Sequence, residues 1–407
     1  MSLKDLTVSL LKMVSKTTTL FLIEFFEWYG KNPITKQSYS EARGKLNHGA
    51  IKAINYDFID GYYEKEYKTY KGNILLSVDA SGISLPISEE IREHFGCPSN
   101  QNQISKTPVG NGSYLYDLEN EIIINGVLRP YAYSEREMLF EHIRVIRKIA
   151  SLKDKKIIVI MDRGYPSIEV ITGLLKNKID FIILSPKDYI KETRIASEKL
   201  KYDSLNKIKI SNEMKRGKER VSEYIKEKGD NVEVRIVTGN VTNEKNAVFI
   251  TSLKESEFKS EEILSLYKRR WEIEVLFRKK KGTVELENFA CKTVQRLKQE
   301  FYGKIITMNF SSIIVESAQE ELDNKVKQGE VVSKYQLKIN ENIAYGIINS
   351  RFLDIISSYE DGSIDENFSS LISLVAQHYT PIIPDRHFPR SKNTSKKKHN
   401  IVYRRAL

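Results

Sequence analysis

The sequence predicts an α/β fold with a mixed central sheet, a β-rich insertion, and helical regions at both ends. Two nearly continuous apolar segments, 74–78 and 157–161, are typical of central strands that are buried on both faces. A helical pattern and a third apolar segment at 179–184 follow, and this strand–helix–strand order favours parallel pairing. Residues 261–282 have the pattern of one long helix, because they lack proline and are rich in Leu, Glu, Lys and Arg.

Size and composition exclude several classes of protein. The chain has 407 residues, enough for two or three domains, and 40% of them are hydrophobic. No apolar segment reaches the ~18 residues that a membrane span needs, and we expect neither a signal sequence nor a membrane partner. Cys97 and Cys291 lack metal-site spacing and are expected to be free thiols in a reducing cytosol. The six histidines are scattered, so none is assigned to a metal.

Positive charge is concentrated in three parts of the chain. The net charge is +11, and residues 1–58, 267–281 and 384–407 carry +3, +5 and +7, which leaves −4 for the remainder. Such a distribution suits a polyanion that lies across specific surfaces. A terminal run of lysines that only aids solubility remains an alternative for the last segment.

We predict a helical N-terminal DNA-binding region over residues 1–70. A helical pattern near 5–28 ends at Gly30, and a second short basic helix contains Arg43. Short basic helices of this kind fit a helix-turn-helix unit, with Arg43 as a candidate DNA contact. A helical dimerisation arm has the same pattern, so both interpretations remain open.

The first part of the core is predicted over residues 71–187. Its two buried strands lead directly to Asp79 and Asp162. Between them, residues 113–133 alternate in polarity and suggest antiparallel strands, followed by a helix near 134–152.

The remaining predicted regions are a β-rich insertion, the end of the core, a helical C-terminal region and a basic flexible tail, at 188–253, 254–295, 296–383 and 384–407. Within the insertion we predict strands at 207–210, 219–226, 232–239 and 247–253.

The helix at 261–282 has charged residues in the middle of its apolar face. At about 100° per residue, Tyr267, Arg270, Glu274 and Lys281 fall within one arc. A carboxylate removed from water costs several kcal/mol unless it is paired. An i, i+4 salt bridge between Glu274 and Arg270 would satisfy this requirement, and so would a metal site with nearby cations for phosphate.

Asp79, Asp162 and Glu274 together favour the metal site. The carboxyl ends of neighbouring parallel strands lie at one edge of a sheet, so the two aspartates are expected side by side. Each aspartate alone often caps a helix or starts a turn. Three carboxylates without His or Cys suit Mg²⁺ or Mn²⁺, and two such ions can promote cleavage of a phosphodiester. Arg270 and Lys281 are candidates for neighbouring phosphates.

These residues resemble the DDE transposases of bacterial insertion sequences, which have a ribonuclease H-like catalytic core. The Tyr-Arg-Glu-Lys signature of that group matches Tyr267, Arg270, Glu274 and Lys281. The segments VDASGISLP at 78–86 and MDRGYPS at 161–167 are similar to its two aspartate motifs. The resemblance covers about 72–290 well and extends to the β-rich insertion.

The resemblance implies cut-and-paste transposition. Two metal ions at Asp79, Asp162 and Glu274 would nick DNA at the inverted-repeat ends of the element, and the freed 3′-hydroxyl would attack target DNA. Tyr267, Arg270 and Lys281 would contact phosphates, with Arg269, Arg278 and Arg43 as further DNA contacts. We expect a homodimer in a synaptic complex with double-stranded DNA, in the bacterial cytoplasm at the nucleoid.

One departure concerns the hairpin intermediate of some relatives. Those relatives stack a flipped base on a tryptophan of the insertion, whereas this chain has only Trp28 and Trp271, both outside it. We predict Trp271 to be a core or wall residue. The insertion offers other aromatic residues as substitutes, namely Tyr189, Tyr202, Tyr224 and Phe249.

Two alternatives remain open: a nuclease with the same core, and a non-catalytic DNA-binding regulator derived from a transposase.

Overall fold

The structure is a computed structural model that describes residues 1–12, 17–100, 103–104, 107–199, 201–241, 244–276 and 284–384. The chain divides into two compact units. One unit comprises Met1–Ile54, Ser84–Val109 and Lys279–Leu407, and the other comprises Asn55–Ile83 and Gly110–Arg278. The predicted N-terminal region 1–70 is therefore divided between the two units.

Helices and strands are numbered separately in chain order. The helices are α1 (Leu3–Leu11), α2 (Thr18–Trp28), α3 (Lys36–Lys45), α4 (His48–Tyr63), α5 (Glu89–Phe95), α6 (Glu135–Ile146), α7 (Ile168–Lys176), α8 (Lys191–Ser197), α9 (Asn212–Lys215), α10 (Glu219–Lys228), α11 (Ser260–Arg269), α12 (271–276), α13 (Val294–Lys327), α14 (Glu341–Asp361) and α15 (Ile364–Ala376). The strands are β1 (Ile74–Ser84), β2 (Ser99–Asn100), β3 (Gln103–Ile104), β4 (Val109–Asp117), β5 (Ile122–Pro130), β6 (Ile157–Met161), β7 (Asp180–Ser185), β8 (Asp203–Lys209), β9 (Asn231–Val241), β10 (Glu244–Thr251), β11 (Leu337–Ile339) and β12 (Tyr379–Pro381).

An eight-stranded mixed sheet forms the centre of the second unit, in the order β5-β4-β1-β6-β7-β10-β9-β8. Strands β1, β6 and β7 are parallel, whereas β4 and β5 form an antiparallel pair. All five residues of β6 are buried, as its continuous apolar sequence requires. This order and mixture of directions agrees with the predicted ribonuclease H-like core.

The insertion extends the core sheet by three antiparallel strands. Strand β10 pairs with the core strand β7 and with β9, and β9 pairs with β8. Residues 219–226, predicted as a strand, are helical instead, so that prediction is wrong. Val221 and Tyr224 are both buried, and their spacing of three residues places them on one face of α10.

The first unit is mainly helical and has its own apolar core. Helices α13, α14 and α15 supply most of its C-terminal part, with a buried cluster that includes Ile314, Leu322, Ile348 and Leu371. The predicted helical C-terminal region 296–383 contains α14 and α15 and all of α13 except its first two residues. None of the helices that the structure describes is both long and apolar enough to cross a membrane.

Candidate active site

Asp79 and Asp162 occupy equivalent places on neighbouring parallel strands. The register of β1 and β6 pairs Ser77 with Ile160, and each aspartate lies two residues beyond its member of that pair. Strand β1 continues to Ser84, so Asp79 lies within the strand, whereas Asp162 follows the end of β6. The structure thus brings the two predicted aspartates to one edge of the paired segment.

The Asp79 carboxyl is in an unfavourable place for a negative charge. Burial is the largest cause that raises its pKa, and the charges of Asp162 and Glu274 raise it further. The Ala80 N–H donates to Asp79 Oδ1 at 2.9 Å, and this bond and the Arg270 charge lower the pKa. The balance places the pKa of Asp79 at about 7. Without a further cation, the three acidic side chains repel one another.

Asp162 is held by the loop that follows β6. The Gly164 N–H donates to Asp162 Oδ1 at 2.8 Å, as in a turn that an aspartate initiates. This local bond uses one oxygen of the carboxylate. Asp162 therefore initiates a turn, as expected for a lone aspartate, and also lies close to Asp79.

Glu274 comes from the predicted helix, which is divided at Arg270. Helix α11 ends at Arg269, and residues 271–276 are helical again. At the junction, the Ile273 N–H donates to the Arg270 carbonyl at 3.2 Å, an i→i−3 bond tighter than that of an α-helix. Because Arg270 keeps α-helical backbone angles (φ −49°, ψ −33°), Glu274 stays close to the side predicted for it.

Arg270 is the counter-ion of this site. Its Nη2 lies 2.6 Å from Glu274 Oε1, so the i, i+4 salt bridge that the sequence allowed is present. Its charge also acts on Asp79. The Arg270 Nε is buried and has no hydrogen-bond partner among the described residues. The guanidinium therefore has an unused donor beside the carboxylates.

The donor set fits a hard divalent cation, but the side chains are not arranged as a closed metal site. Within the described part of the chain, no three acidic, histidine or cysteine side chains are placed to hold a metal ion together. Glu274 is turned toward Arg270. The ion pair engages Oε1 of Glu274, so a cation shared by all three carboxylates would compete with Arg270 for this side chain.

Tyr267 and Arg269 have structural partners. Tyr267 is 8% exposed, its ring centroid lies 4.8 Å from that of Phe249, and the Arg270 guanidinium lies 5.7 Å from its ring centre. Arg269 pairs with Glu119 and with Glu272, so it connects α11 to the turn between β4 and β5. The predicted contacts Arg278 and Lys281 lie outside the described residues.

Arg43, a predicted DNA contact, is not a surface residue in this structure. Its side chain is 4% exposed and pairs with Glu300 at 2.9 Å, while Nε donates to the Gln299 side chain at 3.2 Å. Nη2 donates to the Arg296 carbonyl at 3.0 Å. A buried guanidinium needs such partners, and they hold α3 against α13.

Replacing Arg43 by alanine tests this structural role. We expect the free energy of unfolding to fall by about 3–5 kcal/mol, because the Glu300 carboxylate would stay buried without the positive charge of Arg43. Denaturant unfolding of the full chain measures the loss. Lys45→Ala is the control, since Lys45 is an exposed residue of the same helix. Equal stability of the two variants would contradict the role of Arg43.

A cavity of about 570 Å³ lies beside the acidic site. Its wall includes Tyr267, Arg270 and Trp271, together with Leu184, Val241, Glu244 and Lys268. Trp271 is 52% exposed, which agrees with the prediction of a wall residue and excludes a place in the hydrophobic core.

The aromatic residues that the insertion offers for base stacking differ in exposure. Tyr224 and Phe249 are buried and cannot present a ring face to a base. Tyr189 and Tyr202 are half-buried.

Sequence reasoning did not single out two residues next to Asp162. Glu135, the first residue of α6, and Tyr165, which is fully buried, both interact electrostatically with the Asp162 carboxylate. Tyr165 lies in the MDRGYPS segment, so the sequence motif could have indicated that it is close to Asp162. No sequence pattern marks Glu135, because its proximity to Asp162 depends on how α6 packs.

The fold and the site define an α/β protein with interacting carboxylates at equivalent register positions of adjacent parallel strands and a third carboxylate on a later helix. The family model described as "Transposase DDE domain" matches residues 73–310. This chain belongs to that family of transposases.

A similar solved structure is the cryo-EM structure of piggyBac transposase in a synaptic complex with hairpin DNA. The two share 11% sequence identity, the match covers 92% of this chain and 71% of that chain, and the TM-score is 0.42. No curated protein matched this chain.

Proposed function

We propose that this protein is a transposase of the bacterial insertion-sequence type. It binds the inverted-repeat ends of a mobile element as a homodimer, cleaves phosphodiester bonds and joins the 3′-hydroxyl ends to target DNA. The observation that carries the proposal is that Asp79 interacts electrostatically with Asp162 and Glu274, and that Asp79 and Asp162 each lie two residues beyond a paired position of the parallel strands β1 and β6. It acts on DNA of the bacterial nucleoid, in the cytoplasm.

In this proposal Asp79, Asp162 and Glu274 hold two Mg²⁺ or Mn²⁺ ions. Bound there, the ions would activate the attacking oxygen and stabilise the leaving oxygen of the phosphodiester. The carboxylates supply hard oxygen ligands, and their mutual repulsion favours a cation. Asp162 is already oriented by the Gly164 N–H.

Arg270 has a different role with and without the cations. In the free protein it neutralises Glu274 and acts on Asp79. With Glu274 bound to a cation, the guanidinium would be available to a phosphate of the DNA end, for which its planar donors are suited. The unpaired Nε supports this assignment. Tyr267 keeps the guanidinium in place by packing beside it.

A joining assay tests the function. Purified full-length protein, Mg²⁺, two DNA duplexes that carry the element's own inverted repeats and a target duplex should yield joined products of defined length. Cleavage of the ends without joining would favour the nuclease alternative. Absence of both Mn²⁺ binding and cleavage, with DNA binding retained, would favour the regulator.

The cavity beside Arg270 suits a nucleotide displaced from the DNA end, with Trp271 as the stacking surface. A base stacked on an aromatic side chain contributes about 1–3 kcal/mol. We expect Trp271→Ala to weaken binding of the element's end by roughly that amount and to slow any hairpin formation. Competition binding with duplex ends and gel analysis of hairpin products measure both effects.

Trp28 provides the matched control, because the chain has two tryptophans. Trp28→Ala should leave end binding unchanged. In a Trp28→Phe protein, Trp271 is the single tryptophan, and its emission should be quenched by the DNA end. Unquenched emission with bound DNA would exclude Trp271 as the stacking surface.

A further inference from the structure

Arg163 follows Asp162 in a loop whose backbone is held on both sides of it. The Gly164 N–H donates to Asp162 Oδ1 at 2.8 Å, and the Tyr165 N–H donates to the Asp162 carbonyl at 3.3 Å. Arg136 Nε donates to the Gly164 carbonyl at 3.1 Å. The Arg163 backbone is therefore fixed next to Asp162, while its side chain is 46% exposed.

The Arg163 guanidinium forms an ion pair with Glu244. Its Nη2 contacts Glu244 Oε2, which links the loop after β6 to the first residue of β10. Neither side chain is fully buried. Ion pairs that water reaches contribute little to stability, so another anion can replace Glu244 at a small cost.

Glu244 also belongs to the wall of the cavity beside Arg270. The charged residues of that wall are Lys268, Arg270 and Glu244. With the ion-pair partners Arg163 and Glu274 included, these side chains carry three positive charges and two negative charges. A phosphate at the cavity therefore meets an excess of positive charge, and this excess grows if the phosphate takes the place of Glu244.

Tyr267 supplies a second observation that places Arg163 at this cavity. Burial raises the pKa of Tyr267 most, and the charges of Arg270 and Arg163 lower it. Because Tyr267 is part of the cavity wall, Arg163 acts on two wall residues, Tyr267 and Glu244. Arg163 thus connects the acidic site, through Asp162, with the cavity.

We propose that Arg163 binds a phosphate of the DNA strand whose displaced nucleotide enters the cavity, and that Glu244 is its exchangeable counter-ion in the free protein. The guanidinium fork matches a phosphate as well as a carboxylate, so the two anions compete for the same donors. As the chain neighbour of Asp162, Arg163 holds this phosphate close to the phosphodiester that reacts. The inference rests on the proposed function and adds a DNA contact to it.

The alternative is that the ion pair only links the loop after β6 to β10. Replacing either partner removes the same link, so a purely structural role predicts that both substitutions change DNA binding in the same direction or not at all. Competition between Glu244 and a phosphate for Arg163 predicts opposite effects. The sign of each change therefore distinguishes the two roles.

Binding of the full-length protein to a labelled duplex with the element's terminal repeat, followed by fluorescence anisotropy at several salt concentrations, tests the proposal. We expect Arg163→Ala to weaken binding about tenfold and to make the slope of log affinity against log salt concentration shallower by about one unit. Glu244→Gln should tighten binding about two- to fivefold, because the phosphate no longer displaces a carboxylate.

The double variant and a second ion pair provide the controls. Adding Glu244→Gln to Arg163→Ala should give no further change, because the competition needs both residues. Lys176 and Glu223 form an ion pair of 2.9 Å between α7 and α10, and Lys176→Ala and Glu223→Gln should leave end binding unchanged. A gain in Glu223→Gln equal to that in Glu244→Gln, or a Glu244→Gln gain that persists without Arg163, would overturn the assignment.

The outcomes also separate this inference from the proposed function. If the wild-type protein does not bind the terminal repeat, the proposed function fails together with the inference. If the wild type binds it and Arg270→Ala makes the salt slope shallower, but Arg163→Ala and Glu244→Gln both bind like the wild type, the inference about Arg163 alone is wrong.

Discussion

Replacing Asp79, Asp162 or Glu274 by its amide is expected to abolish DNA cleavage and joining, by at least about 10³-fold for each variant, because the three act as a unit. Asparagine and glutamine keep the size of the side chain but remove the negative charge that a divalent cation requires. DNA binding should persist, since phosphate contacts depend on basic residues. Cleavage of labelled duplex ends in Mg²⁺ measures the loss.

The fold of these variants can be checked through the pKa of Asp79. Its pKa is about 7 in the folded protein against an ordinary 3.8, so the folded state binds the proton more tightly. The free energy of unfolding of the cation-free wild type should therefore fall as the pH rises from about 4 to 7. Above that range Asp79 is charged in the folded protein, and this charged form is disfavoured there. Asp79→Asn should match or exceed the wild-type melting temperature at pH 8 in EDTA.

Two results would count against the acidic site. Normal cleavage by any one of the three variants would end the assignment of that residue to the cation site. Loss of cleavage together with a lower melting temperature would mean that the substitution damages the fold, and the Asp79→Asn result at pH 8 distinguishes these cases.

Arg270→Ala is expected to have the second largest effect, a loss of roughly 10²–10³-fold in cleavage, as for removal of a positioned donor to a reacting group. The slope of log affinity for DNA against log salt concentration should also become shallower by about one unit, because one phosphate contact is lost. Fluorescence anisotropy of a labelled DNA end at several salt concentrations provides the slope.

Arg269→Ala is the neighbouring control. Arg269 is held by Glu119 and Glu272, so its loss should lower stability without a change in the salt slope. If Arg270→Ala leaves the slope unchanged while Arg269→Ala reduces it, the phosphate contact belongs to Arg269, which the family resemblance also implies as a DNA contact, and not to Arg270.

Local sequence was sufficient to predict a secondary-structure element where one hydrophobic pattern dominates. Strand β6 is continuous in its apolar residues and entirely buried, and Asp162 follows it directly. By contrast, residues 219–226 contain the β-prone residues Val, Tyr and Ile and are predicted as a strand, yet Val221 and Tyr224 are buried together on one helical face. Hydrophobic periodicity over only eight residues does not distinguish a helix from a strand. Here the tertiary packing of the segment selects the helix.

The sequence also did not predict that the helix is divided at Arg270. The propensities of 261–282 favour an uninterrupted helix, and nothing in the residue pattern marks the tighter turn between α11 and α12. The consequence for the site is small because Arg270 keeps helical angles, and the spacing from Arg270 to Glu274 still forms the i, i+4 ion pair.

The sequence by itself determined the buried parallel strands, the two aspartates that follow them and the glutamate four residues after Arg270. These features follow from local hydrophobicity and spacing, which are properties of neighbouring residues. Only the tertiary structure decided that Arg43 is buried against Glu300 and that Glu135 lies near the loop that carries Asp162. Those outcomes depend on which distant segments pack together, and the energy of a charge is set by the partners that such packing brings to it.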